Sequence, residues 1–342
     1  MKVNLAGAKF REINGNWNVM YNYIISAFNE LGYDVHKSKF LQLSSCPDYV
    51  KTLSTDSDTD IYVYNHITKN YLREYKFYEG KKALFIKPTG PTEAHFTIDT
   101  LGYAAYSSIT FEKPNFETIK YKKFFNTQVS DWKESKVHKW KDRDDLQMSS
   151  PVLSVPNNHI LIIGQMPGDE TVTQMSFGDH WRKLCQIVKE VSKQKTYPIV
   201  IKLHPTLKTE TEKPDKKGNI RWDYYKNQIK QWKSSGIKVF EDFESIHEIL
   251  PHSRVAIVEN STTGIECLLH EVPIISYGYP EYHWVTFDLR HLGQLYFAMH
   301  DLSWWNKSLA NSWLTWYCTV YQCYDYDSTF NKLNSLVGYA NG

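Results

Sequence analysis

Short apolar runs bounded by turn residues alternate along this chain with longer stretches whose apolar residues return at helical spacing. In the first half, Lys2-Val3-Asn4-Leu5-Ala6-Gly7 predicts a strand ending in a small-residue turn. Tyr33-Asp34-Val35, Ile61-Tyr62-Val63-Tyr64 and Ala83-Leu84-Phe85-Ile86 predict three more strands. Trp17, Tyr21, Ile24, Ile25, Phe28 and Leu31 share one helical face, which predicts a helix over 17–31, capped by Asn14 or Asn16 and stopped by Gly32. In the second half the runs at 159–164, 198–203, 237–240, 255–258 and 273–276 predict strands. Trp181, Leu184, Ile187, Val188 and Val191 mark a helix among them; further helices are expected near 223–234 and from about Thr263.

The polar, Lys- and Asp-rich stretch 126–158, ending in Ser149-Ser150-Pro151 and Pro156-Asn157-Asn158, separates the two patterns and reads as a domain boundary. The tail, with Trp304, Trp305, Leu309, Trp313, Leu314, Trp316 and Tyr317, predicts aromatic helical faces that pack back across both domains. Alternating strands and helices give parallel sheets, so the expected class is α/β. The expected architecture is two Rossmann-like β/α/β domains, 1–150 and 151–302, facing a central cleft, with a helical tail over 303–342 crossing back to the first. Such a cleft gathers strand ends and helix N-termini, which favours anionic ligands.

The chain has 342 residues, 42% of them hydrophobic and 23% charged, which excludes disorder across most of its length. A formal net charge of +2 supplies no global field for polyanions, so affinity for nucleic acid or membrane has to be local. Cys46, Cys185, Cys267, Cys318 and Cys323 form no CxxC pair, which fits a reduced compartment. No apolar leader and no spanning run is visible, so the expected location is cytoplasmic, the host cytoplasm if the chain is phage-encoded, and the sequons at Asn260 and Asn306 are idle.

Four loops that follow predicted strands carry candidate chemistry. In Lys202-Leu203-His204-Pro205 a histidine aimed by a stiff turn can donate to a phosphate; an ordinary loop histidine is the plainer alternative. In Glu259-Asn260-Ser261-Thr262-Thr263-Gly264-Ile265-Glu266, hydroxyls and free N–H groups at a helix start can hold an anion, with Glu266 one turn in to meet ribose hydroxyls. Simple capping needs one hydroxyl, and Glu266 also suits the helix dipole. In Gly164-Gln165-Met166-Pro167-Gly168-Asp169-Glu170-Thr171 a carboxylate faces the crevice and can act as base or nucleophile, although Pro-Gly-Asp is also an ordinary turn. Tyr277-Gly278-Tyr279-Pro280-Glu281-Tyr282-His283-Trp284 offers aromatics for stacking on a base or sugar, or for core packing.

The order GQMPGDET, KLHP, ENSTTGIECLLHEVPII, YGYPEYHW resembles the bacterial capsule polysaccharide glycosyltransferases that transfer Kdo, 3-deoxy-manno-octulosonic acid. Those enzymes carry a GQ-x-x-D-D loop, K-x-HP, an S/T-x-x-G-x-E-A-L helix start and a G-x-P-x-Y-x-x-W loop. The resemblance covers roughly residues 160–290 and implies a GT-B fold with a nucleotide-sugar donor, UDP- or CMP-linked. It implies that Gly164, Gln165, Lys202, His204, Ser261, Thr262, Thr263, Gly264, Glu266 and Tyr282 bind the donor, with Asp169 at the reacting carbon. Gly168 replaces the first acidic residue of the family pair, and Cys267 stands where alanine is usual.

The first domain is expected to supply the acceptor site. Glu93 and Asp99, in the polar loop 87–99, are candidates to position or deprotonate an acceptor hydroxyl, with His95 as a binding residue; a solvated loop is the alternative. Residues 118–145 and 207–233 interleave lysines with aromatics, among them Lys139, Trp140 and Lys141, as a nucleic-acid surface requires; the mixed-in acidic residues fit solvated helices instead. No basic amphipathic membrane helix is evident. The sequence therefore leans slightly towards a hydroxymethylated pyrimidine in phage DNA as acceptor, over a capsule or lipid-linked glycan or a non-catalytic binding role. No cofactor and no metal are expected, since neither a DxD motif nor a His/Cys cluster at ligand spacing is present.

Overall fold

The computed structural model describes residues 1–6, 16–37, 59–65, 82–136, 154–167, 169–173, 179–212, 221–242 and 244–337. The chain divides into two compact units: 1–116, 137–144 and 315–342 form one, and 117–136 with 145–314 form the other.

The first unit is built on a five-stranded sheet of β1 (Lys2–Ala6), β2 (Asp34–Lys37), β3 (Ile61–Asn65), β4 (Lys82–Pro88) and β5 (Phe96–Asp99) in the order β2-β1-β3-β4-β5. The first four are parallel and β5 runs antiparallel to β4. Helix α1 (Asn16–Glu30) lays Tyr21, Ile24, Ala27 and Phe28 into the core with Val3, Leu5 and Leu84. It ends where predicted: Gly32 has φ +82°, the Gly32 N–H bonds Asn29 O and the Tyr33 N–H bonds Phe28 O, a Schellman closure. Leu333 and Val337 of the C-terminal helix (Tyr326–Val337) join the same core.

The segment 87–99, read above as a polar loop after a strand, is corrected at its end: its last four residues form β5, with Phe96, Thr97, Ile98 and Asp99 all buried. Phe96 exchanges two backbone hydrogen bonds with Cys323, of 2.9 and 2.8 Å. That pairing covers the edge from a point far along the chain, so no local pattern announces it.

The second unit carries a six-stranded, all-parallel sheet. Its strands are β6 (His159–Ile163), β7 (Ile199–Lys202), β8 (Lys238–Phe240), β9 (Ser253–Val258), β10 (Ile274–Ser276) and β11 (Phe287–Asp288), in the order β11-β10-β9-β6-β7-β8. Read from the other edge this is 3-2-1-4-5-6, the Rossmann order. Both faces are covered, which is why β6 and β9 are continuous apolar runs rather than alternating ones. Helix α2 (His180–Val191) buries Trp181, Leu184, Ile187, Val188 and Val191, the stripe its spacing predicts, and Asp179 caps it by accepting the Arg182 N–H at 2.7 Å. Helix α3 (Trp222–Ser234) and helix α4 (Thr263–Leu269) follow. Helix α5 (Lys307–Trp316) carries the chain out of this unit: residues to Leu314 group with the second unit and those from Thr315 with the first.

Candidate functional site

In the second sheet β6 and β9 are neighbours, but β6 leads to β7 on one side and β9 to β10 on the other. Their following loops diverge at this reversal of strand order, the place where open α/β sheets form a crevice beyond the strand ends. Two side-chain amides join the loops there. Gln165 Nε2 donates to Asn260 Oδ1 at 2.9 Å, and the Asn260 backbone N–H donates back to Gln165 Oε1 at 3.0 Å. Asn260 Nδ2 also donates to Thr171 O at 2.6 Å, tying in the segment that begins with Asp169. Both amides are buried, so every bond among them is made in a medium where a lost partner is costly.

Beneath this lock lies Glu259, with a fully buried carboxylate. It accepts from His180 Nδ1 and from Lys183 Nζ, the latter at 2.5 Å. His180 Nε2 in turn accepts the Gln165 backbone N–H at 3.0 Å, which places the ring proton on Nδ1, towards Glu259. Gly278 approaches so closely that a Cβ there would lie 2.7 Å from the Glu259 carbonyl oxygen. The neighbouring Tyr277 phenol is pushed well up by burial and by the Glu259 charge. Asn260, Glu259, His180 and Lys183 are positioning residues that sequence reasoning did not assign. The only local signal was a glutamate ending an apolar strand, which demands a buried partner.

The hydroxyl run sits directly after Asn260. Ser261 Oγ accepts the Thr263 N–H at 3.2 Å and donates to Thr263 Oγ1 at 3.1 Å, so Ser261 does the capping while Thr262 is the first residue outside α4. Gly264 is required by packing. A Cβ there would meet the Tyr282 ring at 2.0–2.5 Å, and the Tyr282 hydroxyl donates to Ser261 O at 2.5 Å. Tyr282 is 2% exposed and lies edge-to-face on Trp313 of α5 at 6.2 Å. It braces the turn from behind, and this corrects its assignment as a donor-contacting residue. Glu266 is buried beside Tyr282 and Cys267, and its charge adds to the burial that raises both of their pKa values. Cys267, fully buried, packs as the small apolar residue that alanine would be.

His204 follows β7. The Thr206 N–H donates to its Nδ1 at 3.3 Å, and Thr206 Oγ1 lies 2.9 Å away, which puts the ring proton on Nε2. Lys202, expected to touch the donor, is instead 8% exposed; its ammonium bonds Leu203 O at 3.2 Å and Asp242 O, and lies 3.4 Å from Glu244. Burial draws its pKa down, and these inward partners hold the β7–β8 end of the sheet. Asp169 is exposed. Its Oδ1 accepts the Thr171 N–H at 2.8 Å and the Thr171 hydroxyl at 2.5 Å, fixing the carboxylate through the residue whose carbonyl Asn260 holds. Gly164 lies at the end of β6, its N–H on Lys202 O at 2.9 Å, and Gly168 lies outside the described residues.

The candidates of the first unit are of a different kind. Asp99 is 2% exposed and accepts hydrogen bonds from the N–H groups of Leu101, Gly102 and Ser108, from Ser108 Oγ at 2.6 Å and from Tyr321 Oη at 2.8 Å. Those bonds occupy its lone pairs, so Asp99 organises the 99–108 turn rather than serving as an acceptor base. His95 is also buried; Thr92 Oγ1 lies 2.6 Å from its Nδ1, and burial draws its pKa down to about 4. That burial corrects its assignment to the acceptor. Glu93 is half-buried in the same turn. Lys139, Trp140 and Lys141 lie outside the described residues.

Four of the aromatics read as part of a nucleic-acid surface belong to the core instead, and Tyr121, Phe124 and Phe125 are half-buried. Trp132, Trp222, Tyr225 and Trp232 are buried, with Tyr225 and Trp232 packed on Trp181 at 4.5 and 5.4 Å. Stacking on bases requires exposed rings, and among the described members of 207–233 only Tyr224 is mostly exposed. Among the described residues no group of three His, Cys, Asp or Glu is gathered to hold a metal ion, and no helix is long and apolar enough to cross a membrane.

The family model for capsule polysaccharide biosynthesis proteins matches residues 98–291, from β5 through β11. Among solved structures, the chain is similar to the β-Kdo 2,4 transferase of Thermosulfurimonas dismutans KpsC, with 14% identity, a TM-score of 0.53, and 95% of this chain covering 92% of that one. The β-Kdo 2,7 transferase of the same protein matches with 13% identity and a TM-score of 0.51, over 98% of this chain and 99% of that one. Together with the two Rossmann-like sheets, these similarities establish a two-domain GT-B fold. No curated protein matches the sequence. None of these similarities supports a DNA acceptor; the capsule alternative is the one they favour.

Proposed function

The chain belongs to the capsule polysaccharide biosynthesis protein family, and from that premise we propose that it is a glycosyltransferase moving a sugar from a nucleotide-sugar donor to a hydroxyl of a capsule-type glycan. The observation that carries this reading is the Gln165–Asn260 lock across the strand-order reversal, which fixes the Ser261–Gly264 turn and the Asp169 segment in one place. In this reading the donor phosphate is met by the Ser261–Thr263 turn, whose internal bonds hold the Thr263 hydroxyl in place, and by the Nε2–H of His204. Fixed donors of this kind stabilise the charge that grows on the phosphate as the glycosidic bond breaks. Glu266, one turn into α4, is buried and backs the turn from beneath. Asp169, held through one carboxylate oxygen by Thr171, takes the proton of the acceptor hydroxyl as that oxygen bonds the anomeric carbon and the carbon–phosphate-oxygen bond breaks to release the nucleotide. CMP-linked Kdo is the first donor to test, followed by UDP-sugars.

The test is transfer to a Kdo-terminated glycan, measured beside nucleotide affinity. Asp169→Asn lowers turnover by about 10²–10⁴-fold while nucleotide affinity stays within twofold, about the loss expected for a removed acid–base group. His204→Ala weakens nucleotide binding by about tenfold, one charge-assisted contact's worth. Transfer at the wild-type rate by Asp169→Asn, or no transfer from any nucleotide sugar, rejects the proposal.

A further inference from the structure

Within the second unit, residues 117–123 and the start of α5 line an open cleft of about 640 Å³, inside the range of small-ligand sites. Its floor is Ile119, Leu309 and the ring of Tyr121, whose hydroxyl lies 3.0 Å from Ser308 Oγ. Lys120, Lys122 and Lys123 line it against one carboxylate, that of Glu117. Asn306, whose Oδ1 caps α5 by accepting the Leu309 N–H at 3.0 Å, Ser308, and the buried Ser312, whose Oγ donates to Ile119 O at 3.2 Å, complete the lining.

A sugar ring presents one apolar face and a rim of hydroxyls, so it fits an apolar floor beside amide and hydroxyl groups. The excess of ammonium groups selects among sugars for those carrying carboxylates. A nucleic acid fits less well, because Tyr121 is the single lining aromatic and a strand of bases calls for several rings in succession. The cleft also connects to the candidate donor turn. Ser308, Leu309 and Ser312 face the cleft, and Trp313, the next residue of α5, packs on Tyr282, which occupies the space over Gly264 and bonds Ser261 O.

We propose that the 117–123/306–312 cleft binds a carboxylated oligosaccharide, the acceptor strand of the transfer reaction. The identification of that ligand as the acceptor rests on the glycosyltransferase reading; the binding itself does not. The test uses oligogalacturonate as the acidic probe, with a neutral malto-oligosaccharide, single-stranded DNA and anionic lipid vesicles as competitors, in titration calorimetry of the full chain. Wild type binds oligogalacturonate more tightly than any of the three. The triple variant Lys120→Ala/Lys122→Ala/Lys123→Ala loses about tenfold in affinity, the order expected when three exposed charge contacts vanish together. The corresponding triple arginine variant retains it. No binding, equal binding of the neutral probe, tighter binding of DNA or vesicles, or an alanine variant that binds like wild type each overturns the proposal.

Kinetics separate this proposal from the functional reading. If transfer occurs, the alanine variant raises the acceptor KM and leaves kcat and the donor KM unchanged; an unchanged acceptor KM removes the cleft from the reaction while the glycosyltransferase stands. Lysine-dependent binding of the acidic probe without transfer from any donor leaves the cleft standing and removes the glycosyltransferase.

Discussion

A buried histidine, His95, and a half-buried one, His270, set an acid limit on the fold. His95 faces Thr92, Tyr324 and the attracting charge of Asp325, yet burial dominates and draws its pKa down to about 4. His270 faces His247, whose Nδ1 lies 2.8 Å from its Nε2, and Lys133; burial and those neighbours draw it down to about 3. The unfolded chain titrates both near 6.5, so between that value and the folded ones it binds protons that the native state does not. Stability is therefore full above about 6.5 and falls as the pH drops towards 4. Thermal midpoints recorded across that range should decline, and His95→Gln should flatten the decline; an unaltered slope would refute the assignment. At this scale the sequence was legible in residue type but not in partnership. Glu259 visibly ends an apolar run, but its partners His180 and Lys183 lie 79 and 76 residues upstream. Asp99 looked like a base because its five donors, one of them Tyr321, are assembled only by the fold.

Elements were read best where one local rule sufficed. The stripe of α2, five of the six strands of the second sheet and the stop after α1 each follow from periodicity or a single glycine, whereas the two-residue β11 is too short to show a pattern. Strand β5 did not, since four residues next to Pro and Gly carry too little alternation, and its partner Cys323 is remote in sequence. The glycine stops permit a clean test. Gly32 and Gly236 have φ of +82° and +86°, and a Cβ at either would meet nothing within 4 Å. Gly236 repeats the closure of Gly32, with the Ile237 N–H on Trp232 O at 3.1 Å. Alanine at either position therefore costs only the left-handed backbone penalty, about 1 kcal/mol. Denaturant unfolding should show that loss for Gly32→Ala and Gly236→Ala singly, and no loss would refute the assignment of both caps. Gly264→Ala is different in kind, because there the Tyr282 ring occupies the space and the turn behind Ser261 must move.

At the scale of the molecule, the elements of the proposed donor site fall in one of the two units. The strand-order reversal, the amide lock, the hydroxyl turn and the loops bearing His204 and Asp169 all belong to the second unit. The lysine–aromatic segments misled at this scale: alternation of basic and aromatic residues resembles a binding surface, yet amphipathic helices that bury Trp132, Trp222 and Trp232 under a charged outer face give the same pattern. A nucleotide that binds the native second unit stabilises it by mass action, by about 2.7 kcal/mol at a hundredfold excess over its Kd. Hydrogen exchange reads that stabilisation locally. Saturating CMP or UDP should slow exchange at 164–172, 204–207 and 259–266, with the largest change in the loops that the Gln165–Asn260 pair joins. Gln165→Leu breaks the lock and strands the Asn260 amide in a buried place, so it should shrink that protection while the first-unit amides, the turn 99–108 included, exchange as in wild type. Protection centred on the 99–108 turn would move the donor to the other unit and remove the amide lock from the reaction.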